Sequence, residues 1–253
     1  MPHPLVPRRI ARWATVLWTA ILLAASPVAA QVFTVEALVD GFRRTVFGSE
    51  FGTFSFTSPY LRRFEGAVRV HLDVTSAVPG AGDRVRAFLR RLDREVVRLD
   101  IRLVGDPEEA NFRVFVVDRA DYAATVKEKV YDSAFATVRG RCMVRALFTR
   151  SGITRADAVI VADEGDELFG RCMAEELMQG LGPLNDDATL DASMFNDATP
   201  FTVPQRFDLL ILNMLYDRRL KSGMTAAEAE PTLRAIARTA LANLPPEGHF
   251  RVR

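Results

Sequence analysis

The sequence has few of the residues that most protein metal sites use. Its 253 residues include three histidines and two cysteines, too few for a zinc ribbon, a haem-protein signature or a cluster held by four thiolates. The chain also lacks an excess of charge of either sign, since 33 basic residues stand against 32 acidic ones. General nucleic-acid binding is therefore not expected. Hydrophobic residues make up 49% of the chain, which suits a buried core and excludes a mainly disordered protein.

The first 30 residues have the pattern of a secretory signal peptide. Three arginines within residues 8–12 precede an uncharged run at 13–25, and small residues follow as far as Ala30. The uncharged run is about 13 residues long where a membrane span needs about 20, which favours cleavage over an uncleaved anchor. We therefore expect an exported chain, periplasmic or secreted, that begins at Gln31 and has no stable membrane span.

Export determines how the two cysteines are interpreted. Cys142 and Cys172 form an even pair, and an oxidising compartment favours a disulfide between them. The alternative is a thiol nucleophile, which needs a histidine as its base. Signal cleavage would leave His71 and His249, and neither lies in a supporting motif. We predict the disulfide.

The hydrophobic pattern predicts one α+β domain over residues 31–253. Alternating apolar residues predict a strand at 68–74, a strongly apolar run predicts another at 112–117, and helical spacing predicts a long helix from Val85 to Arg98 between them. A strand, a long helix and returning strands indicate a crossover unit on one sheet. The other elements predicted around this unit are helices at 35–47, 122–130, 207–220 and 226–244 and a short strand at 101–104.

Two further strands are predicted on either side of Gly152, at 142–148 and 158–162. Arginines flank the first of these, a pattern typical of an edge strand that charge protects from aggregation. Such an edge can also accept an extended peptide. A helix then begins near Glu167 and ends at Gly182.

That helix ends in the sequence EELMQGLGPLND, residues 175–186. The spacing resembles the metzincin zinc-peptidase signature H-E-x-x-H-x-x-G-x-x-H-D, with Glu176, Gly182 and Asp186 at matching positions. Three other residues stand in place of the zinc histidines: Glu175, Gln179 and Asn185. Downstream, Met194 resembles the methionine turn that lies beneath the metal in metzincins. The resemblance implies a single zincin-like domain with its core at about residues 66–222, a mixed twisted sheet with a charged edge strand, and two closing C-terminal helices.

A second resemblance is to an exported bacterial family, domain of unknown function 2927. The family pattern joins a cysteine and Glu-Glu-x-x-Gln-x-x-Gly before Asn-Asp to a later Leu-Tyr-Asp and Lys-x-Gly-Met. The matching residues here are Cys172, Glu175, Glu176, Gln179, Gly182, Asn185, Asp186, Leu215 to Asp217 and Lys221 to Met224. The family has no assigned activity, so this resemblance implies no reaction.

The chemistry of the signature predicts neither a zinc site nor a cofactor. One carboxylate at Glu175 with neutral amides at Gln179 and Asn185 is a poor zinc ligand set, and is better matched to a hard cation if to any metal. Glu176 occupies the position of the general base, but without a metal-polarised water it has no strong nucleophile to generate. We therefore expect a pseudo-metallopeptidase rather than an active one.

Two interpretations of this polar helix end stay open. In the first it is a solvated helix face on which Arg171 pairs with Glu175. In the second, a polar cleft above Met194, the polar side chains bind each other or a peptide. The residues of this expected binding cleft are Glu175, Gln179, Asn185, Asp186 and Met194.

Two classes of function also stay open. The first is a non-catalytic module of the cell envelope that binds a peptide or an envelope protein through the edge strand and the cleft. The second is a hydrolase, in particular a peptidase, with an atypical metal or carboxylate site that uses Glu175 and Glu176.

Overall fold

Five strands of alternating or continuous apolar residues assemble into one mixed sheet in a computed structural model of the chain. The structure describes residues 33–47 and 60–244, so the predicted signal peptide and His249 lie outside the described residues. The strands are β1 (Val68–Val74), β2 (Ile101–Leu103), β3 (Phe112–Val117), β4 (Cys142–Thr149) and β5 (Gly152–Val161). The helices are α1 (Val35–Phe47), α2 (Ala81–Glu95), α3 (Arg119–Thr125), α4 (Asp166–Gln179), α5 (Arg206–Leu215) and α6 (Ala226–Asn243).

The strands lie in the order β2-β1-β3-β5-β4. All neighbours are parallel except β4, which runs antiparallel to β5 with Arg145 opposite Asp157. The predicted crossover unit is confirmed, because β1 and β2 are parallel and α2 connects them. The predicted edge position of the strand that begins at Cys142 is also confirmed.

The two faces of the sheet support separate cores, as the period of two along each strand requires. On one face α2 and α4 cover the sheet and pack with α1, α5 and α6 in the larger core. On the other face Phe115 and Val117 of β3 and Val159 of β5 pack under α3, where Tyr122 is buried. In the described ranges, no helix is both long enough and apolar enough to cross a membrane.

Several predicted elements differ from the structure. The helix predicted from Val85 to Arg98 begins at Ala81 and ends at Glu95, where Val96 turns extended, and the helix predicted at 207–220 ends at Leu215.

β5 begins at Gly152 rather than at residue 158, because the buried Asp157 that interrupts its apolar pattern is paired with Arg113 at 2.6 Å and Arg155 at 2.9 Å. The helix predicted at 122–130 is the end of α3 followed by a π-helical turn at Val126–Val130. A charge that is neutralised by arginines of its own and a neighbouring strand does not end a strand.

Candidate functional site

A cleft of about 910 Å³ lies between the edge strand β4 and helix α4. Its lining includes the successive residues Cys142 to Ala146 of β4, and Phe148, so side chains from both faces of this edge strand border the cleft. The predicted disulfide is confirmed: Cys142 of β4 is bonded to Cys172 of α4, with their Cα atoms 5.7 Å apart. The two walls of the cleft are therefore joined covalently.

The polar residues of the signature lie on the buried side of α4. Glu175, Glu176 and Gln179 all line the cleft and are 8%, 7% and 6% exposed. The interpretation as a solvated helix face is therefore wrong. The expected pair of Arg171 and Glu175 does form, with 3.3 Å between Nε and Oε2, inside the cleft wall.

Three acidic side chains come together in the cleft. Glu175, Asp186 and Asp197 each place one carboxyl oxygen within 4.8 Å of the other two. Burial is the main cause that raises the pKa of Glu175 to about 8, and repulsion from Asp186 adds to it while Arg171 opposes it. Glu175 thus keeps its proton near neutral pH. Because its carboxyl group is then neutral, it does not repel the carboxylates of Asp186 and Asp197.

Gln179 links the helix to the segment after the glycine turn. Its Nε2 donates to Oδ1 of Asp186 at 2.7 Å, so two residues of the signature are in direct contact. Three oxygen ligands and a nearby amide suit a hard cation better than zinc. The arrangement offers carboxyl groups for hydrogen bonding to a ligand.

Asn185 and Met194, which were expected in the cleft, lie outside its lining. Gly182 has φ +138°, and beyond this turn the Nδ2 of Asn185 donates to the carbonyl of Arg44 in α1 at 2.9 Å. Met194 is fully buried in the larger core, and its N–H donates to Asp208 at 3.1 Å. The structure therefore brings together residues 175, 179 and 186, but not 185 and 194.

Sequence reasoning missed Asp197 and Asp208. Asp197 lies in the long loop between α4 and α5, and no local pattern distinguishes it from other loop acids before the chain folds. Asp208 is fully buried, accepts from Ser193 Oγ at 2.6 Å and from the N–H of Gln205 at 2.7 Å, and has its pKa raised to about 7 by burial. A capping box, Gln205 with Asp208 three residues on, could have identified this second residue.

The cleft residues fall inside a recognisable family pattern. A family model described as "Protein of unknown function (DUF2927)" matches residues 35–235, which include all five strands and the signature helix. The chain belongs to this family, as the pattern from Cys172 to Met224 indicated. Among curated proteins, no sequence matches the chain.

Proposed function

We propose that this chain is an exported protein of the cell envelope whose β4–α4 cleft binds an extended peptide, free or within an envelope protein. The observation that carries the proposal is the position of the cleft along β4, which has no strand on its outer side within residues 33–47 and 60–244. An unpaired edge can donate and accept main-chain hydrogen bonds, and the cleft can receive alternate side chains of the added strand.

The proposal includes a zincin-like fold. It is supported by the antiparallel edge strand beside the signature helix, by the glycine turn after that helix, and by two further helices that close the larger core. Asn185 departs from the metzincin pattern because it bonds to α1. This placement supports a cleft without the three-ligand zinc site of an active peptidase.

Export is supported by the pattern of the first 30 residues and by the disulfide, which is the expected state of a cysteine pair in an oxidising compartment. Intact mass spectrometry of protein recovered from the producing cells tests it. We expect a chain that begins at Gln31 and lacks free thiols. Full-length protein that is recovered only from the reducing cytosol would contradict export.

Peptide retention on immobilised protein tests the binding proposal. Randomised hexapeptides with free carboxyl termini are passed over the mature protein, and the retained peptides are identified by mass spectrometry. Ala146→Trp places a large side chain in the cleft and should weaken binding about tenfold or more, which corresponds to about 1.4 kcal/mol. The matched control, Leu103→Trp, alters the opposite edge strand at an exposed position and should leave binding unchanged. Equal retention by both variants would contradict the proposed site, and no retention by the parent would contradict peptide binding.

A hydrolase is the second candidate, favoured by one observation. Glu175 has a pKa of about 8 and lies beside other carboxylates, and groups with separated pKa values can act as acid and base. The same peptides, incubated in solution with the protein, should then be cut, and Glu175→Gln and Glu176→Gln should each abolish cleavage. Metal analysis of the purified parent would show whether a hard cation takes part. Peptides recovered intact support binding without cleavage.

A further inference from the structure

Arg62 is a buried cation without an anionic partner among the described residues. Only 7% of the residue is exposed, its Nε is buried without a hydrogen-bond acceptor, and it forms no ion pair in that part of the chain. Its guanidinium carbon lies 4.5 Å from the centre of the Phe148 ring, and the residue lines the cleft. A guanidinium remains charged even where burial lowers its pKa, as it does here.

The neighbouring residue shows how this fold normally treats a buried arginine. Arg63 is 8% exposed, and its Nη1 donates to the carbonyls of Leu215 at 2.7 Å and Asp217 at 3.0 Å. It also pairs with Glu65, at 3.1 Å. Buried charges in proteins are as a rule paired and hydrogen-bonded, so an unpaired one that lines a cleft is suited to bind an anionic group.

The backbone around Arg62 is held on both sides. The N–H of Leu61 donates to a carbonyl that precedes α6, at 2.7 Å, and the carbonyl of Arg63 accepts from the start of β5 at 2.9 Å. A Cβ at Gly182 would come within 2.5 Å of the Arg62 carbonyl oxygen. The glycine at this turn therefore lets the backbone of Arg62 pack directly against the end of the signature helix. The guanidinium is thus presented from a fixed backbone, which reduces the entropy lost on binding a ligand.

We propose that Arg62 binds a carboxylate of the peptide that occupies the β4–α4 cleft, an inference that rests on the proposed peptide binding. The planar guanidinium can bind both oxygens of a carboxylate at once. One cation matches one negative charge, and the carboxylates of Asp186 and Asp197 in the same cleft disfavour the second charge of a phosphate dianion. The carboxylate is either the peptide C-terminus or an acidic side chain.

Three hexapeptide pools distinguish these two sources. All are acetylated and randomised over uncharged residues; the first has a free carboxyl terminus, the second a carboxamide, and the third a carboxamide with one internal glutamate. Affinities are measured by titration against the parent protein at neutral pH. We expect the first or the third pool to bind about tenfold or more tightly than the second. Equal affinity for all three pools would overturn the role of Arg62.

Two variants of Arg62 and one control complete the test. Arg62→Met keeps the stem on Phe148 but removes the charge, and should abolish the preference for the carboxylate pool. Arg62→Lys keeps the charge but not the planar fork, and should retain only part of the preference. Arg90 is exposed on α2, away from the cleft, so Arg90→Met should preserve the whole preference.

The outcomes separate the two proposals. Loss of the preference in Arg62→Met with residual binding of the carboxamide pool supports both the cleft and the carboxylate site. A preference that survives in Arg62→Met overturns the carboxylate site and leaves peptide binding in place. Failure of the parent to bind any pool overturns the peptide-binding function itself.

Discussion

Arg62 and Arg63 are adjacent and equally buried, yet they differ in what surrounds their guanidinium groups. Arg63→Met would deprive two backbone carbonyls and Glu65 of their donor, so the free energy of unfolding should fall by about 2–4 kcal/mol. Arg62→Met removes an unpaired buried charge, and the free energy of unfolding should change by less than about 1 kcal/mol or rise. Urea denaturation of both variants measures the difference.

A loss of stability in Arg62→Met as large as that in Arg63→Met would contradict this prediction. It would mean that the fold itself requires the Arg62 charge, and a role in ligand binding would lose its support. Arg90→Met serves again as the exposed control and should leave the denaturation midpoint unchanged.

Glu175 makes the stability of the protein depend on pH. Its pKa is raised from an ordinary value of 4.5 to about 8, so between these values the folded chain keeps a proton that the unfolded chain has lost. The unfolding free energy therefore falls as pH rises through this window. Glu175→Gln cannot lose a proton, and should reduce the fall between pH 5 and 8 by about 1–3 kcal/mol.

Denaturation of the parent and of Glu175→Gln at several pH values tests this slope. Part of the fall should remain in the variant, because burial also raises the pKa of Asp208, to about 7. Parallel pH profiles of parent and variant would contradict the protonated state of Glu175.

The disulfide is the covalent link between strand β4 and helix α4. It closes a loop of 30 residues, and in the chain-entropy model its removal should lower the free energy of unfolding by about 2–4 kcal/mol. We expect this loss when Cys142→Ala and Cys172→Ala are combined, and on reduction of the parent. Urea denaturation with and without reductant measures it. The double variant should be insensitive to reductant, and an unchanged midpoint in the reduced parent would contradict the structural role of the bridge.

The elements differ in how well the sequence predicts them. α1, β1 and β3 have the predicted bounds, because a period of 3.6 runs through α1, a period of 2 through β1, and β3 is a short apolar run buried on both faces. β5 is longer than its apolar run, since Asp157 is neutralised by arginines from its own and a neighbouring strand. Pairing across strands is a tertiary effect that one segment of sequence does not contain.

The residues of the candidate site also differ in how well the sequence predicts their positions. The spacing within α4 correctly predicts that residues 175 and 179 share one helix face. The path of the chain after Gly182 depends on where α1 lies. The Asn185 side chain donates to the carbonyl of Arg44 in α1 and so lies outside the cleft lining. Asp197 and Arg62 come from distant parts of the chain, and only the folded protein brings them to the cleft.

In the folded chain as a whole, the larger core lies on one face of the sheet and the smaller core on the other. β2 and β4 are its two edges, and of these only β4 lies along the cleft. This cleft is lined by the carboxyl groups of Glu175, Asp186 and Asp197 and by the guanidinium of Arg62. The open edge and the Arg62 guanidinium therefore lie in the same cleft, which supports a ligand with an extended backbone and one negative charge placed at Arg62.

The central claim is that a peptide adds to the β4 edge, and amide hydrogen exchange with and without a retained hexapeptide tests it most directly. We predict slower exchange at alternate amides of residues 142–149, those whose N–H groups point away from β5, because the peptide would accept their hydrogens. Residues 101–103 of the opposite edge strand should exchange at the same rate in both samples. Peptide binding that leaves the amides of residues 142–149 unchanged, or that protects residues 101–103 instead, would contradict the account.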